Sequence, residues 1–307
     1  MSDHERVEFR TFDGVTLRGD FFPASGIDRP VVVMAQGLTL LKEHYIDDIA
    51  RRFQAAGVSA LVYDHRGYGS SEGAVRHETN PLQQAEDYHD AVTAAARQPG
   101  VDPNRVAIWG IGHSGGASMI AAGDDRRVKA VVLDMPAIAG SFDAAGFAPG
   151  LLERAWSARE AAVQNAQPSP IYLKCWPDSR PNALGEEGEP SVLGGEAAYE
   201  FISGALVRSS AAKTPWENKL SLQSIYHLAS AEPRTHYHKI APRHVLYLAA
   251  EVDPLTAPLH EHRAVFDSGD QQNAQFAIVE PDHLATYFGE PFEASVAVQL
   301  KFLTSVL

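Results

Sequence analysis

Six short strand-like runs, five of them followed by a turn and a stretch of helical period, constrain this chain more than any other feature. The runs are Val31–Ala35, Val58–Tyr63, Arg105–Trp109, Val128–Leu133, His244–Ala250 and Gln275–Val279. Apolar residues recur at helical spacing from about Lys42 to Ala56, from Pro81 to about Arg97, from Gly115 onward, near Leu259–Phe266 and from about Pro291. Asn80 reads as the N-cap of the second helix, with Pro81 at N1 and Gln83 at N3. Ahead of the alternation, Val7–Arg10 and Val15–Phe22 read as strands joined by an Asp13-Gly14 hairpin turn. Asp102-Pro103-Asn104 reads as a turn into its strand. Strand–helix alternation of this kind predicts an α/β fold, a mostly parallel twisted sheet with helices on both faces.

From about Ala137 to Ile240 the alternation stops. Helices are expected near Leu151–Asn165, Glu196–Val207 and Thr214–Ala229, the last with Thr214 as N-cap, Pro215 at N1 and Glu217 at N3. A Pro- and Gly-rich loop, Pro177 to Gly195, lies between them. Trp156, Trp176 and Trp216 fall in this stretch with Phe142, Phe147, Tyr172, Tyr199, Phe201 and Tyr226, too much aromatic surface for a plain excursion. The expectation is a helical lid over the carboxyl edge of the sheet, where open α/β folds bind ligands. The chain then divides into a first core part (1–136), a lid insertion (137–240) and a second core part (241–307). The three tryptophans are the candidate substrate-binding residues.

The charge balance narrows the partners. With 26 Lys+Arg against 39 Asp+Glu, the net charge of −13 disfavours nucleic acid and anionic membrane surfaces. Hydrophobic residues at 45% and charged residues at 21% are those of a globular chain. A lone cysteine, Cys175, rules out an intrachain disulfide and a cysteine metal cluster, and reads as a packed small hydrophobe. No apolar run approaches the ~18 residues of a membrane span. The start Met1-Ser-Asp-His-Glu-Arg6 is polar, with no signal-peptide apolar region. A cytoplasmic location is expected, and self-association into a homo-oligomer stays open. His236/His238 and His260/His262 lack a third ligand and read as solvated histidines.

Chemistry concentrates in Gly110-Ile-Gly-His-Ser-Gly-Gly116, between a strand and a helix. Gly112-His-Ser-Gly-Gly116 fits G-x-S-x-G, in which small neighbours allow a tight turn that lifts the serine hydroxyl off the sheet. Ser114 is then the nucleophile, and the Gly115 N–H one oxyanion donor. Gly110, Gly112 and Gly115 also satisfy G-x-G-x-x-G, with Asp134 ending the next strand about where a ribose-binding acid falls. That dinucleotide reading leaves the later acid and histidine unexplained, and the motif comes several strands too late for it. The nucleophile reading demands an acid and then a histidine after late strands, and Asp253 and His283 stand there. Asp253 would orient His283, and His283 would take the Ser114 proton. Asp134 and Glu251 are rival acids. A second oxyanion amide is expected after the strand ending near Ala35, in Gln36-Gly37-Leu38, with Leu38 the candidate donor. Asp64 and Arg66 are assigned to holding the glycine-rich loop Asp64–Gly73 by local hydrogen bonds.

The elbow, the D-x-R-G-x-G-x-S-x-G loop at Asp64-His-Arg-Gly-Tyr-Gly-Ser-Ser-Glu-Gly73 and the late Asp and His resemble the α/β-hydrolase fold over nearly the whole chain. In that fold His commonly precedes the oxyanion glycine, and here Gln36 stands there. More narrowly, Gly37-Leu-Thr-Leu-Leu-Lys-Glu43, Val101-Asp-Pro-Asn-Arg105, Trp216-Glu-Asn-Lys219 and Glu232-Pro233 resemble the branch of polyketide-pathway thiohydrolases and transferases common in fungi. Some members of that branch carry Cys as nucleophile where this chain is expected to use Ser114. The resemblance implies an acyl ester or thioester substrate, with a polyketide chain on a carrier as one form. The expected function is a cofactor-independent serine hydrolase or acyltransferase. It would work on an ester, thioester or lactone with an apolar acyl group through Ser114, His283, Asp253 and an acyl-enzyme. Acyl transfer or C–C bond chemistry on a polyketide chain, a non-catalytic ligand-binding protein on the same scaffold and an NAD-dependent oxidoreductase are the alternatives.

Overall fold

A computed structural model of the chain describes residues 4–164 and 169–307. Met1–Asp3 of the polar start and Asn165, the expected end of one helix, lie outside the described residues. The chain opens with β1 (Glu5–Arg10) and β2 (Thr16–Phe22), an antiparallel pair. Their connection is wider than a two-residue turn. It spans Thr11–Val15, where Thr11 N–H donates to Val15 O and Gly14 at φ +88° donates to Thr11 O. Then follow β3 (Arg29–Ala35), α1 (Ile46–Ala55), β4 (Ser59–Tyr63), α2 (Pro81–Ala95), β5 (Val101–Ile111), α3 (Gly112–Asp124) and β6 (Val128–Asp134). Asn80 caps α2, its side chain accepting from Leu82 N and Gln83 N. Asp102–Asn104 sits inside β5 as an irregularity, since pairing with β3 jumps from Arg29↔Val101 to Val31↔Val106.

A long insertion leaves after β6: α4 (Gly140–Gly146), α5 (Leu151–Gln164), β7 (Tyr172–Leu173), α6 (Arg180–Ala183), α7 (Glu196–Ala212), β8 (Leu220–Ser221) and α8 (Leu222–Ser230). The chain rejoins the sheet with β9 (His244–Val252), α9 (Leu259–Asp267), β10 (Ala274–Asp282) and α10 (Gly289–Val306). The eight-stranded sheet has the order β1-β2-β4-β3-β5-β6-β9-β10, with β2 antiparallel to both neighbours and the rest parallel. β6 and β9 are neighbours, so the insertion departs from and returns to one place in the sheet.

Alternation along the strands supplies both cores. Val31, Val33, Val106 and Ile108 face one side with Tyr88 of α2, Ala117 of α3 and Phe266 of α9. Val32, Met34 and Trp109 face the other with Ile49 and Phe53 of α1 and Phe302 of α10. This is the two-residue period of a sheet buried on both faces. The second core runs on into the insertion through Trp176, Phe201, Leu222 and Leu228.

Inside the insertion one expected helix start is displaced. Thr214 does not cap a helix; α8 begins at Leu222, with Ser221 as its N-cap accepting from Ser224 N. The preceding residues are held extended by side-chain bonds: Trp216 Nε1 donates to Thr39 O at 2.8 Å, and Asn218 Oδ1 accepts from Cys175 N and Trp176 N. Asp64 holds the glycine-rich loop through Ser70, whereas Arg66, expected to do so by local hydrogen bonds, instead ties the loop to residues outside it. Asp64 accepts from Lys42 N and Ser70 N, while Arg66 pairs with the buried Asp87 of α2 and with Asp13. His262, expected to be solvated, is fully buried. Among the described residues no helix is long and apolar enough to cross a membrane.

One of the tight approaches in the fold lies where β5 turns into α3. A Cβ on Gly110 would come within 2.4 Å of Ser114 O and 2.6 Å of Ser114 C. Both are backbone atoms, so Gly110→Ala should destabilise the protein by about 1–3 kcal/mol through overpacking. Gly146→Ala, with nothing within 4 Å of its would-be Cβ, is the control. Urea unfolding followed by fluorescence should give a lower midpoint for the first and an unchanged one for the second.

Candidate active site

The site forms where the parallel strands end, the edge at which open α/β sheets gather ligands. Asp253 follows β9 and His283 follows β10, and the two meet: His283 Nδ1 lies 2.9 Å from Asp253 Oδ2. The Asp253 side chain is shut off from solvent and His283 is buried. Asp253 divides its two oxygens between jobs. Oδ1 accepts from Leu255 N and Thr256 N, which makes it a turn former, and Oδ2 receives His283 and the Thr256 hydroxyl at 2.7 Å. The one side chain thus both shapes the turn that follows β9 and holds His283.

Behind Asp253 runs a relay of neutral donors. The Thr256 hydroxyl donates to Asp253, so it accepts from His262 Nε2 at 3.3 Å, and His262 Nδ1 accepts from the Tyr247 hydroxyl at 2.9 Å. Burial draws the His262 pKa down to about 4, which keeps the ring in the neutral form this chain of bonds requires. Burial would likewise raise the Asp253 carboxyl. The charge and hydrogen bond of His283, with the donors from Thr256 and Leu255, outweigh it and hold Asp253 well below the usual range. For His283, burial pulls downward, and the Asp253 carboxylate, with Asp134 behind it, raises the imidazole above its ordinary value.

The rival acids stand elsewhere. Glu251 is exposed. Asp134 is buried, and burial pushes its pKa up to about 7; its Oδ2 accepts from Gln299 Nε2 at 3.0 Å, while Oδ1 has no hydrogen-bond partner. Asp134 touches His283 only through charge.

Ser114 is where the structure departs most from the expectation. β5 runs two residues past Trp109, through Gly110 and Ile111, so the strand-to-helix turn falls on Gly112, with φ +53°. Ser114 consequently sits in the first turn of α3. Its hydroxyl accepts from Ile111 N at 2.9 Å and is 2.7 Å from Ala35 O, capping the helix in the manner of an N3 side chain. It is 1% exposed and is not part of the pocket wall. The residue that faces His283 is Gly112: a Cβ placed there would lie 3.6 Å from His283 Cε1 and 3.7 Å from Nε2. The oxyanion assignment shifts with it. The N–H that follows the turn belongs to His113, one of the helix's unpartnered first amides, whereas Gly115 falls where intrahelical bonding begins. Gly115 instead permits close packing, its would-be Cβ 2.9 Å from Pro136 Cα. Gly110 and Gly115, two of the three glycines of the dinucleotide reading, are taken up by close packing against Ser114 and Pro136.

Leu38 does line the pocket, on a turn closed by Leu40 N to Gly37 O at 3.2 Å. Gln36 holds that turn: its Oε1 accepts from Gly37 N and from the Tyr287 hydroxyl, and its Nε2 donates to His44 O. The pocket is a narrow cleft walled by Leu38, Trp176, Phe201, Leu255, Tyr287 and His283 among others. Trp176 is therefore the one expected tryptophan at the site, its ring stacked on Phe201 with centroids 5.4 Å apart. Trp216 is bound to Thr39 O outside the pocket wall, and Trp156 is 51% exposed, packed edge-on against Tyr226. His113 also reaches the pocket, and its Nε2 lies 3.1 Å from Asp143 Oδ1 of α4. Among the described residues no group of three His, Cys, Asp or Glu could hold a metal ion.

Residues 27–280 match the serine aminopeptidase S33 family. A polyketide transferase of Stachybotrys chlorohalonatus is 33% identical over 307 residues, covering 99% of this chain and 97% of the relative. A thiohydrolase of Arthrinium phaeospermum is 31% identical over 311 residues, covering 99% and 97%. Among solved structures, the α/β-hydrolase GrgF from Penicillium sp. sh18 superposes with a TM-score of 0.80 at 29% identity, over 99% of this chain and 98% of that one. The protein is an enzyme of the hydrolase or transferase type. It belongs to the serine aminopeptidase S33 family and has the α/β-hydrolase fold.

Proposed function

We propose that the protein hydrolyses or transfers an apolar, polyketide-type acyl group presented as a thioester or ester, with His283 as the base. The observation that carries this is the buried His283–Asp253 pair opening onto an apolar pocket bordered by the Leu38 and His113 turns. His283 Nε2 accepts the proton of the attacking hydroxyl, Asp253 fixes the ring by its other nitrogen, and the two amides receive the carbonyl oxygen as it gains charge. His283 then returns the proton to the leaving group. Trp176, Leu193 and Phe201 bring the insertion over the pocket as a lid, which excludes bulk water and favours an apolar acyl chain. Relatives named as polyketide transferases and thiohydrolases support this substrate class.

Two measurements test it. With octanoyl N-acetylcysteamine as donor, thiol release by His283→Ala should fall at least about 100-fold, the scale of lost acid–base catalysis. Retained turnover would refute the assignment. Because the base must be neutral, kcat/KM should rise with pH through a midpoint above the ordinary histidine value of 6.5. Asp253→Asn removes the carboxylate that favours the imidazolium, so its midpoint should move down. A pH profile that does not move would assign the base elsewhere.

A further inference from the structure

The turn that faces His283 carries no side chain, and nothing else in the pocket wall replaces the missing nucleophile. Gly112 occupies the position from which a hydroxymethyl group would meet His283 Nε2. Its backbone is in the left-handed region, at φ +53°, and a Cβ there would make ordinary contacts at 3.6 Å or more. Neighbouring atoms have not closed over the space. The hydroxyls that line the pocket are committed: Thr256 donates to Asp253, and Tyr287 donates to Gln36. Among the described residues, no serine, cysteine, lysine or carboxylate stands in the wall. Ser114 is buried on the strand side of α3, and Cys175 is fully buried with its pKa pushed up to about 12.

We infer that the reaction is a single displacement, in which the hydroxyl of the acceptor substrate occupies the space beside Gly112 where a serine oxygen would otherwise stand. The inference rests on the acyl-transfer reading above. The acceptor R′–OH gives its proton to His283 Nε2 as its oxygen bonds to the acyl carbon, with Leu38 and His113 N–H holding the oxyanion. Collapse breaks the C–S bond, and the proton passes from His283 to the departing thiolate. The balance is R–CO–SR″ + R′OH → R–CO–OR′ + R″SH, with R′ = H for water. No acyl-enzyme forms, because the chain contributes a base, an oxyanion site and a place for the acceptor, and the acceptor contributes the nucleophile. Gly112 thus becomes a specificity-determining position: the room it leaves is what admits a substituent on the attacking oxygen.

The test uses the full chain and three variants. Incubated with a fluorophosphonate and, separately, with octanoyl N-acetylcysteamine, the wild type should show no covalent adduct by intact-protein mass. Gly112→Ser should gain a single phosphonyl adduct that maps to residue 112. Ser114→Ala should turn over the thioester as the wild type does. Gly112→Ala fills the space with a methyl and should lose about 100-fold in turnover, the cost of a displaced attacking atom, while still folding cooperatively with a melting point lowered by the strain of a side chain at φ +53°. Thiol release with water alone and with a series of primary alcohols separates the two sources of hydroxyl. Alcohol esters formed with intersecting initial-velocity plots are expected of a single displacement, and free acid alone identifies water as the acceptor. A wild-type acyl or phosphonyl adduct on Ser114, on His283 or elsewhere would overturn the inference, as would a folded Gly112→Ser that resists labelling. Labelled Gly112→Ser beside a wild type inert to every acyl donor would sink the acyl-transfer reading, and the displacement step with it, while the assignment of the turn to Gly112 would stand.

Discussion

Everything at the site hangs on how closely α3 can be brought against the end of β5. The backbone of Gly110 lies under the Ser114 carbonyl, Gly115 lies against Pro136, and Gly116 would push a Cβ to within 2.5 Å of Ala137 O. Three glycines thus let a helix start directly on top of a sheet strand, pressed also against the residues that follow β6. That start points the first amides of α3 at the pocket and brings Gly112 to His283. A helix seated even slightly higher would separate the first amides of α3, the proposed oxyanion donors, from His283, because both are fixed to the sheet and not to each other.

The sheet could be read from the sequence because doubly buried strands write themselves as short apolar runs. Val31–Ala35 and Val128–Leu133 have no polar face to confuse them with anything else, and each appears where expected with one or two residues added. Asp253 and His283 could be read for a related reason: each follows such a run at the edge where chemistry gathers. The elbow could not be read so directly. Gly110-Ile-Gly-His-Ser-Gly-Gly116 contains G-x-S-x-G in one frame and a G-x-G-x-S turn in another, and only the length of β5 decides between them. Ending the strand at Trp109 puts Ser114 on the turn; ending it at Ile111 puts Gly112 there. The strict need for small residues at 115 and 116, two positions into close packing, was the available signal for the longer strand.

The insertion was harder still, because its helices owe their limits to contacts with the core. Trp216 and Asn218 are pulled into an extended path by Thr39, Cys175 and Trp176, and that overrides a capping pattern that is locally sound. The buried relay from Tyr247 through His262 and Thr256 to Asp253 has no sequence signature, as its members come from a strand, a helix and a turn. It makes the orientation of the acid independent of water: every oxygen of Asp253 is occupied by a donor before a substrate arrives.

The pairing of His113 with Asp143 gives the insertion a mechanical hold on the reaction centre. The imidazole that grips α4 and the amide that faces the oxyanion belong to one residue. A shift of α4 would therefore be felt at the peptide unit that borders the pocket together with Leu38. On the proposed mechanism, the seating of the insertion and the alignment of the oxyanion site would be tied together through that one side chain.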